Sequence, residues 1–315
     1  MSGTAPGTVA FTALTPIVWG STYAVTTEFL PPDRPLLTAL LRALPAGLAL
    51  LLITRTLPKG PWIGRAAALG ALNIGAFFPL LFLAAYRLPG GVAAILGAVG
   101  PLFTVGFGAL LLSERPTLRK LLAGVVGIAG VSLVVLRSDA VLDVVGIAAG
   151  LGGAASMAAG TVLTKRWRSP AGVGPATMAG WQLTAGGLLL LPVAFLVEGA
   201  PPAIDVPAAA GYLYLAVLGG AVAYWIWFRG VSRLPATSVA FLVLLSPLSA
   251  AVIGWVALGE ALSPLQMIGM VVAFAGMLLG QLPTRKPARA ASESASESPS
   301  ETPAPAPRAA ADLAA

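Results

Sequence analysis

Long apolar runs separated by short polar links are the dominant pattern of this 315-residue chain. Most runs have the roughly 17 to 25 residues that an α-helix needs to cross a bilayer. Ten occur, at 9–30, 36–54, 66–86, 91–112, 121–136, 144–163, 176–197, 209–228, 236–258 and 265–282. Because a helix satisfies its own backbone hydrogen bonds in lipid, the pattern predicts an all-α integral membrane protein with ten transmembrane helices.

The composition agrees with that prediction and argues against several other classes of protein. Hydrophobic residues make up 57% and charged residues 10% of the chain, against about 25% charged in ordinary soluble domains. The chain has no Cys and no His, so we expect no metal, no other cofactor and no enzymatic activity. The net charge of +7 comes from scattered Lys and Arg rather than a basic cluster, so we expect no nucleic-acid partner.

Lys and Arg are distributed unequally between alternate links. One set of links contains fourteen, and the other contains three, Arg34, Arg87 and Arg137. The positive-inside rule therefore predicts that both termini are cytoplasmic. Residues 1–8 are then a short cytoplasmic N-terminus, and they lack the basic residues of a cleaved signal peptide. Residues 283–315, rich in Pro, Ala, Ser and Glu, are predicted to be a disordered cytoplasmic tail.

The chain contains an internal repeat. Residues 87–134 match residues 233–280 at a constant offset of 146, with 15 of 48 positions identical and no gap. The identities include prolines and a glutamate, which chance similarity between Leu-rich helices would not align. Five spans separate the two copies of this segment, so the copies enter the membrane from opposite sides. The pattern predicts a 5+5 inverted repeat, 9–136 and 144–282, an organisation typical of secondary transporters.

Several motifs in this order resemble one known family. They are the opening TPIVWGSTYAVT, the Arg of LLRALPAGLALLL, the RLP before the fourth span, and the paired Glu of LLLSERPT and ALGEALSP. Together they resemble the drug/metabolite transporter superfamily, specifically EamA-type exporters, over residues 11–281. The resemblance implies an inner-membrane carrier, of a kind that often exports amino acids or other small metabolites. It also implies a central cavity lined by the first four helices of each repeat, with the fifth and tenth helices outside.

A polar and aromatic stripe lies on one face of the first predicted helix. Thr15, Trp19, Thr22 and Tyr23 recur at helical spacing, and Trp19 is near the centre of the run rather than at an interface. We interpret the stripe as part of a substrate cavity, with helix packing as the alternative. A proline and a glycine flank Trp19, so an unwound segment is expected there.

Polar and aromatic residues inside other runs are further cavity candidates, and burial between helices is the alternative for most of them. They are Asn73, Phe77, Trp181, Gln182, Tyr224 and Ser246. The aromatic group that ends beside Arg229 consists of Tyr224, Trp225, Trp227 and Phe228, and an aromatic belt at the membrane interface is the favoured interpretation of that group. Pro101 and Pro247 occupy equivalent positions in the fourth and ninth spans, where we expect kinks.

Arg42 is the one cation well inside a predicted span. Two interpretations stay open: a latch that reaches outward to Glu28 or Asp33, which we favour, and a contact with an anionic group of the substrate. No Asp or Glu lies deep in a run, which argues against proton exchange through a midplane carboxylate. Glu114 and Glu260 end the fourth and ninth spans, and we expect them to pair with loop cations or to cap helices.

The inverted repeat favours a secondary transporter that works by alternating access. The resemblance implies that it lies in the bacterial inner membrane and exports small polar metabolites, with amino acids as the preferred class. The alternatives are an uptake carrier for sugars or nucleotide conjugates and a proton-coupled drug exporter. The expected partners are the small-molecule substrate and the lipid bilayer. Glycines in the fifth and tenth spans fit close packing within the chain and also a dimer contact, so a monomer and a homodimer both stay open.

Overall fold

Helices are the only regular elements in residues 6–87, 96–135, 143–257, 259 and 262–282, which the computed structural model describes. They are α1 (Pro6–Gly20), α2 (Thr22–Phe29), α3 (Pro35–Thr54), α4 (Pro61–Gly70), α5 (Phe77–Arg87), α6 (Gly100–Leu112), α7 (Leu118–Val135), α8 (Val144–Trp167), α9 (Pro175–Glu198), α10 (Val206–Tyr214), α11 (Ala223–Arg233), α12 (Ala236–Leu242), α13 (Leu245–Ala257) and α14 (Pro264–Gln281). One compact unit ends at Leu282. The tail that was predicted to be disordered, 283–315, lies outside the described residues.

The predicted all-α membrane fold is confirmed. Seven helical stretches of the described chain are long and apolar enough to cross a bilayer, and a shorter apolar helix covers Leu96–Leu112. The two other predicted spans correspond to the broken pair α1 and α2 and to the 18-residue helix α7. The first helix is already formed at Pro6, three residues before the expected start of the span.

Local signals explain where several helices begin. The side chain of Asp143 caps α8, and that of Asp205 caps α10, each by accepting a hydrogen bond from a backbone N–H of the first turn. Ser263 and Gln266 form a reciprocal capping box at the start of α14. These caps satisfy backbone donors at the helix starts, where no carbonyl of the helix itself can accept their hydrogen bonds.

Two spans are interrupted near their middle. Ser21 separates α1 from α2, and Val243 and Leu244 separate α12 from α13. Pro247 has no N–H to donate to the carbonyl of Val243, which accepts instead from the N–H of Ser246 (2.9 Å), so the break in the ninth span has a direct cause. In the fourth span a turn at Val99 stands two residues before Pro101, and the kinks at both prolines stay predictions.

Two π-helical segments occupy related positions. The first, Ala71–Ala76, joins α4 to α5, and the second, Leu215–Val222, joins α10 to α11. The offset of 146, defined by residues 87–134 and extended upstream, places the first segment on residues 217–222, inside the second. A π-helical turn contains an extra residue and misaligns the usual hydrogen bonds, so it leaves carbonyls available to other partners.

Helices α3 and α9 form an antiparallel pair whose two ends are tied together. The carboxylate of Glu198, at the end of α9, accepts hydrogen bonds from the backbone N–H groups of Leu36 (2.6 Å) and Leu37 (2.9 Å), at the start of α3. At the other end, the indole N–H of Trp181 donates to the carbonyl of Thr56 (2.7 Å). Since α3 and α9 are the second helices of the two repeats, this pair has the inverted topology that the repeat predicts.

Helices α7 and α14 form a second antiparallel pair, through glycines. A Cβ added to Gly130 would lie 2.2 Å from the amide nitrogen of Ala273, and one added to Gly276 would lie 2.6 Å from that of Gly127. The contacts run in opposite chain directions, as in the first pair. These glycines face the interior of the chain, so close packing is the role that the described contacts give them.

The links lie alternately at two ends of the bundle. We call the basic end the one that holds the links 55–60, 113–117 and 168–174, with their Arg and Lys residues. The opposite end holds the link 30–34 and the end of α9 at Glu198. Glu198 reaches α3 at the opposite end, while Trp181 reaches the link after α3 at the basic end.

Candidate functional site

A cavity of about 680 Å³ lies in the middle of the bundle, between helices of both repeats. Its wall includes Trp19, Thr22, Thr26, Thr38, Arg42, Phe77, Phe78, Pro101, Thr104, Met157, Thr161, Tyr224, Trp227, Ala240, Ser246 and Pro247. The link at 31–34 also lines it, so the cavity extends to the opposite end of the bundle. Its volume is in the usual range for small-molecule sites.

Aromatic rings form one wall of the cavity. The ring centroid of Trp19 lies 5.2 Å from that of Tyr224 and 5.2 Å from that of Trp227, and its indole N–H donates to the carbonyl of Gly219 (3.1 Å). The favoured interface-belt interpretation is wrong for Tyr224 and Trp227, which are only 1% and 2% exposed. The reason is that α11 turns this face inward to the bundle, whereas its other face carries the exposed Trp225.

Arg42 lies on the same cavity wall, 6% exposed. Its guanidinium donates to the carbonyl of Gly219 (3.1 Å), and its Cζ lies 5.1 Å from the ring centroid of Phe78. The outward latch from Arg42 to Glu28 or Asp33 stays a prediction, and both acidic residues are exposed. The carbonyl of Gly219 belongs to the second π-helical segment, and it accepts from both Trp19 and Arg42.

Hydroxyl groups supply most of the remaining polarity of the cavity. The side-chain oxygens of Thr26, Thr38 and Thr104 each donate to a carbonyl one turn earlier in their own helix. Thr22 differs, because its buried hydroxyl has no hydrogen-bond partner among the described residues. A buried hydroxyl without a partner is costly, so Thr22 is the hydroxyl most available to a bound molecule.

Charged groups mark the rim of the cavity at the opposite end. Asp33 and Arg34 line it, and the Arg34 guanidinium donates to the backbone carbonyl of Glu198. Asp33 has φ +59°, in the left-handed region that Asp tolerates better than most residues. The described rim therefore carries both signs of charge, whereas the deep wall carries the single cation Arg42.

At the basic end α1 packs directly on α11, and the described helices close the bundle. The hydroxyl of Thr15 donates to the carbonyl of Ala223 (3.0 Å), and a Cβ on Gly230 would lie 2.3 Å from the Thr12 methyl group. The guanidinium of Arg229 lies over the ring of Phe11, 5.1 Å from its centroid. Thr15, a cavity candidate, therefore belongs to a helix contact below the cavity.

Three other candidates also lie away from the cavity, between helices. The side-chain amide of Asn73 donates to the Oε1 of Gln182 (2.7 Å), which joins the first π-helical segment to α9. Trp181 packs on Trp62 with 5.8 Å between ring centroids, near the basic end. All three are nearly inaccessible, so helix packing is the role that their contacts support.

The remaining candidates are distributed as follows. Phe77, Ser246, Pro101 and Pro247 line the cavity. Glu28 is exposed at the end of α2, and the carboxylate of Glu114 lies 3.6 Å from the amine of Lys120. The side chain of Tyr23 and the whole of Glu260 lie outside the described residues.

Several cavity residues had not been singled out from the sequence. Phe78 follows Phe77 directly, and Trp227 had been assigned to the interface belt. Met157 and Thr161 are four residues apart on α8, in a helix of mostly small residues. Their helical spacing and their size in such a helix were the signals that could have identified them.

The arrangement suits recognition of a small molecule. The described residues contain no cluster of metal-ligating side chains. The cavity instead combines aromatic faces, hydroxyls and one guanidinium, which together fit a molecule with an apolar part and an anionic group. No group of the wall needs to react with that molecule for binding to occur.

Comparison with known proteins agrees with this picture. The chain is 44% identical over 271 residues to Protein PecM of Dickeya dadantii, covering 86% of this chain and 91% of the relative. It is 30% identical over 277 residues to a Salmonella typhimurium protein named "Probable amino-acid metabolite efflux pump", covering 84% of this chain and 91% of the relative. A solved crystal structure, 21% identical, superposes with a TM-score of 0.71 and covers 88% of this chain and 98% of its own, which supports the fold.

A model of one protein family matches the chain twice. The matched segments are residues 7–136 and residues 144–280, which together span most of the chain. The two relatives named above are also similar along 91% of their own length. The chain is therefore a multi-pass membrane protein that belongs to the EamA-like transporter family.

Proposed function

We propose that this transporter exports amino acids or closely related carboxylate-bearing metabolites from the cytoplasm through its central cavity. The observation that supports the proposal most directly is the position of Arg42, a buried guanidinium on the cavity wall beside aromatic rings. A relative named as an amino-acid metabolite efflux pump is consistent with the same substrate class.

Arg42 presents a cation to the cavity from within an apolar helix. A charged side chain inside a membrane-spanning helix is by default a functional candidate. Its guanidinium lies on the cavity wall, where it also contacts the Gly219 carbonyl and the Phe78 ring. A carboxylate in the cavity would bind this guanidinium by a charge-assisted hydrogen bond. The alternative interpretation of Arg42, contact with an anionic substrate group, is thus the one we adopt.

The rest of the wall determines what else the substrate carries. Trp19, Tyr224 and Trp227 offer aromatic faces for an apolar side chain. The Thr22 hydroxyl offers a hydrogen bond to an amine or a hydroxyl of the substrate. A cavity of about 680 Å³ accommodates an amino acid with its remaining water, so size alone does not restrict the side chain strongly.

The two ends of the bundle support an alternating-access mechanism. The cavity reaches the opposite end, while α1 and α11 close the basic end. We propose that the basic end faces the cytoplasm, as the positive-inside rule predicts, which makes this an outward-facing state. The inverted repeat supplies a second, related packing for the inward-facing state.

Efflux from proteoliposomes tests the proposal. Vesicles loaded with a panel of labelled amino acids should release a subset faster than protein-free vesicles do. Trp19→Ala should reduce this selective efflux by about tenfold or more, because it removes two ring contacts and a hydrogen bond from the wall. Trp255→Ala is the matched control, since Trp255 is 54% exposed and lies outside the cavity wall. No efflux of any amino acid by folded protein would move the substrate to another metabolite class.

A further inference from the structure

A second cavity of about 490 Å³ lies at the basic end. The helices α8 and α11 line both cavities. On α8, Thr161 faces the central cavity and Lys165, one turn later, faces the second. On α11, Trp227 faces the central cavity and Val231, again one turn later, faces the second. The two cavities therefore lie in line along one path through the bundle.

A thin barrier of aromatic rings separates them. Phe228 lines the second cavity and is 3% exposed, and Tyr224 lines the central one. Their ring centroids are 5.9 Å apart. Displacement of these neighbouring rings on α11 would connect the two cavities without rearranging the rest of the bundle.

Lys165 holds the end of α11 in place. Its amine donates to the carbonyls of Val231 (3.0 Å) and Leu234 (2.6 Å). The carbonyl of Val231 would normally accept from the N–H four residues later, but that residue is Pro235, which has none. Lys165 supplies the missing donor from another helix. This contact involves the RLP segment 233–235, whose counterpart is 87–89 in the first repeat.

We propose that the second cavity is the basic-end vestibule of the transport path and that Lys165 is the latch that keeps the Phe228 barrier shut. The proposal rests on the proposed transport function. It adds where the transport path opens at the basic end and which residue controls that opening. Release of the two carbonyls by Lys165 frees the end of α11, so that Phe228 can move and the cavities can join.

The charges of the vestibule explain how a substrate releases the latch. Lys165 and Arg168 both line it, and the nearby carboxylate of Glu114 acts on Lys165 from outside the lining. The charged residues of the lining itself are cations, so the vestibule attracts an anionic group such as a carboxylate. A carboxylate that enters the vestibule is a stronger partner for the Lys165 ammonium than a neutral carbonyl is. Arrival of the substrate at the basic end thereby weakens the latch, and Arg42 provides the next cation along the path.

Cysteine accessibility tests this proposal without knowledge of the substrate. The parent chain contains no Cys, so Ala240→Cys places one reporter on the central cavity. Labelling by a membrane-impermeant maleimide is measured in right-side-out and inside-out vesicles. Lys59→Cys, in an exposed link at the basic end, identifies which preparation presents that end. In the parent background, the reporter should react mainly from the opposite end.

Lys165→Met should raise the rate of labelling from the basic end by about tenfold, the factor expected for the loss of one hydrogen bond from a charged donor. Lys165→Arg keeps a charged donor, so its labelling rate from the basic end should stay closer to that of the parent. Arg166→Met is the matched control, because Arg166 is an exposed cation that donates to the carbonyl of Leu111 (3.1 Å) and does not line the vestibule. Its labelling rate should equal that of the parent.

The labelling rates test the Lys165 latch separately from the proposed transport of amino acids. Unchanged labelling in folded Lys165→Met would overturn the latch, and an equal increase in Arg166→Met would overturn it as well. Should Lys165→Met not fold, Phe228→Ala takes its place, because it removes the barrier itself and must raise labelling from the basic end if the cavities lie on one path. Failure to transport amino acids leaves these labelling rates unaffected, so it counts against the substrate alone.

Discussion

The two antiparallel helix pairs and most of the helices around the cavity are built differently. The exception is α8, which lines the cavity as one continuous helix. Each pair, α3 with α9 and α7 with α14, consists of uninterrupted helices. The first, third, eighth and ninth spans, by contrast, are broken by a turn or by a π-helical segment. Continuous, closely packed helices resist deformation, whereas breaks concentrate it at a few residues. We call the two helix pairs the frame and the broken spans the walls. The comparison indicates that the frame is fixed and that the walls can rearrange.

Arg42 stands at the boundary between the two regions. It is on α3, a frame helix, but the carbonyl it donates to belongs to the π-helical segment of a wall span. The aromatic rings Trp19 and Tyr224 are on wall helices. The charge that would bind a carboxylate thus lies on a continuous helix, whereas the aromatic surfaces around it lie on broken ones.

The largest effect is expected from a change inside the frame. Gly130→Ala puts a methyl group 2.2 Å from the amide nitrogen of Ala273, so α7 and α14 must move apart. We expect a loss of about 3 kcal/mol in stability, as for an overpacked core, visible as a lower melting temperature in detergent. Gly106→Ala, at a site with no atom within 4 Å, should be neutral or slightly stabilising. Equal melting temperatures for both variants would contradict the rigid frame.

A change of the fixed charge should alter binding more than stability. Arg42→Leu should raise the substrate concentration for half-maximal transport by about thirtyfold, the lower range for the loss of one partner of a buried charge pair. Arg42→Lys should retain part of the transport, because it keeps the charge but not the planar donor geometry. Transport kinetics in proteoliposomes measure both. Full activity of Arg42→Leu would remove Arg42 from the binding site.

A change in a wall should have a moderate effect on rate. Pro247→Ala restores a backbone donor for the Val243 carbonyl and straightens the ninth span. We expect transport to slow by about threefold, with a melting temperature equal to or above that of the parent. Slower transport without a loss of stability is the result expected if the ninth span rearranges during transport. A lower melting temperature with an unchanged transport rate would instead indicate that Pro247 stabilises the fold and has no role in transport.

The smallest effect on transport is expected from an imposed pH gradient. Among the described residues that line the central cavity the acidic one is Asp33, at its rim. Without a carboxylate near the substrate, an imposed pH gradient has no group through which to drive exchange. Efflux should therefore change by less than about twofold when a gradient of one pH unit is applied in either direction. A strong response would restore the proton-coupled alternative.

The membrane fold was predictable because it depends on properties that a sequence displays directly. The length of an apolar run and its helical periodicity can be read from consecutive residues. The repeat aligned Pro101 with Pro247 from the sequence alone. The breaks at Gly20 and before Pro247 followed from backbone chemistry at single positions. None of these inferences required knowledge of which helices are neighbours.

The cavity was less predictable, since it depends on which helix face meets which neighbour. Trp19 and Gln182 are both polar or aromatic residues within apolar runs, but one faces the cavity and the other is bonded to Asn73. Tyr224 and Trp227 looked interfacial by position along the run. The π-helical segment before α11 changes the angular register, so a periodicity counted from the start of the span no longer applies.

The paired π-helical segments also bear on the history of the chain. Each contains a local lengthening of the helix at an equivalent position in the two copies. A shared lengthening is explained most simply by one insertion in an ancestral five-helix gene, before it was duplicated. The ancestor would then have worked as a pair of identical, oppositely inserted subunits, each carrying the lengthened helix. Later divergence gave Arg42 and Trp19 a common partner in the segment of the second copy, and Asn73 remains within the segment of the first.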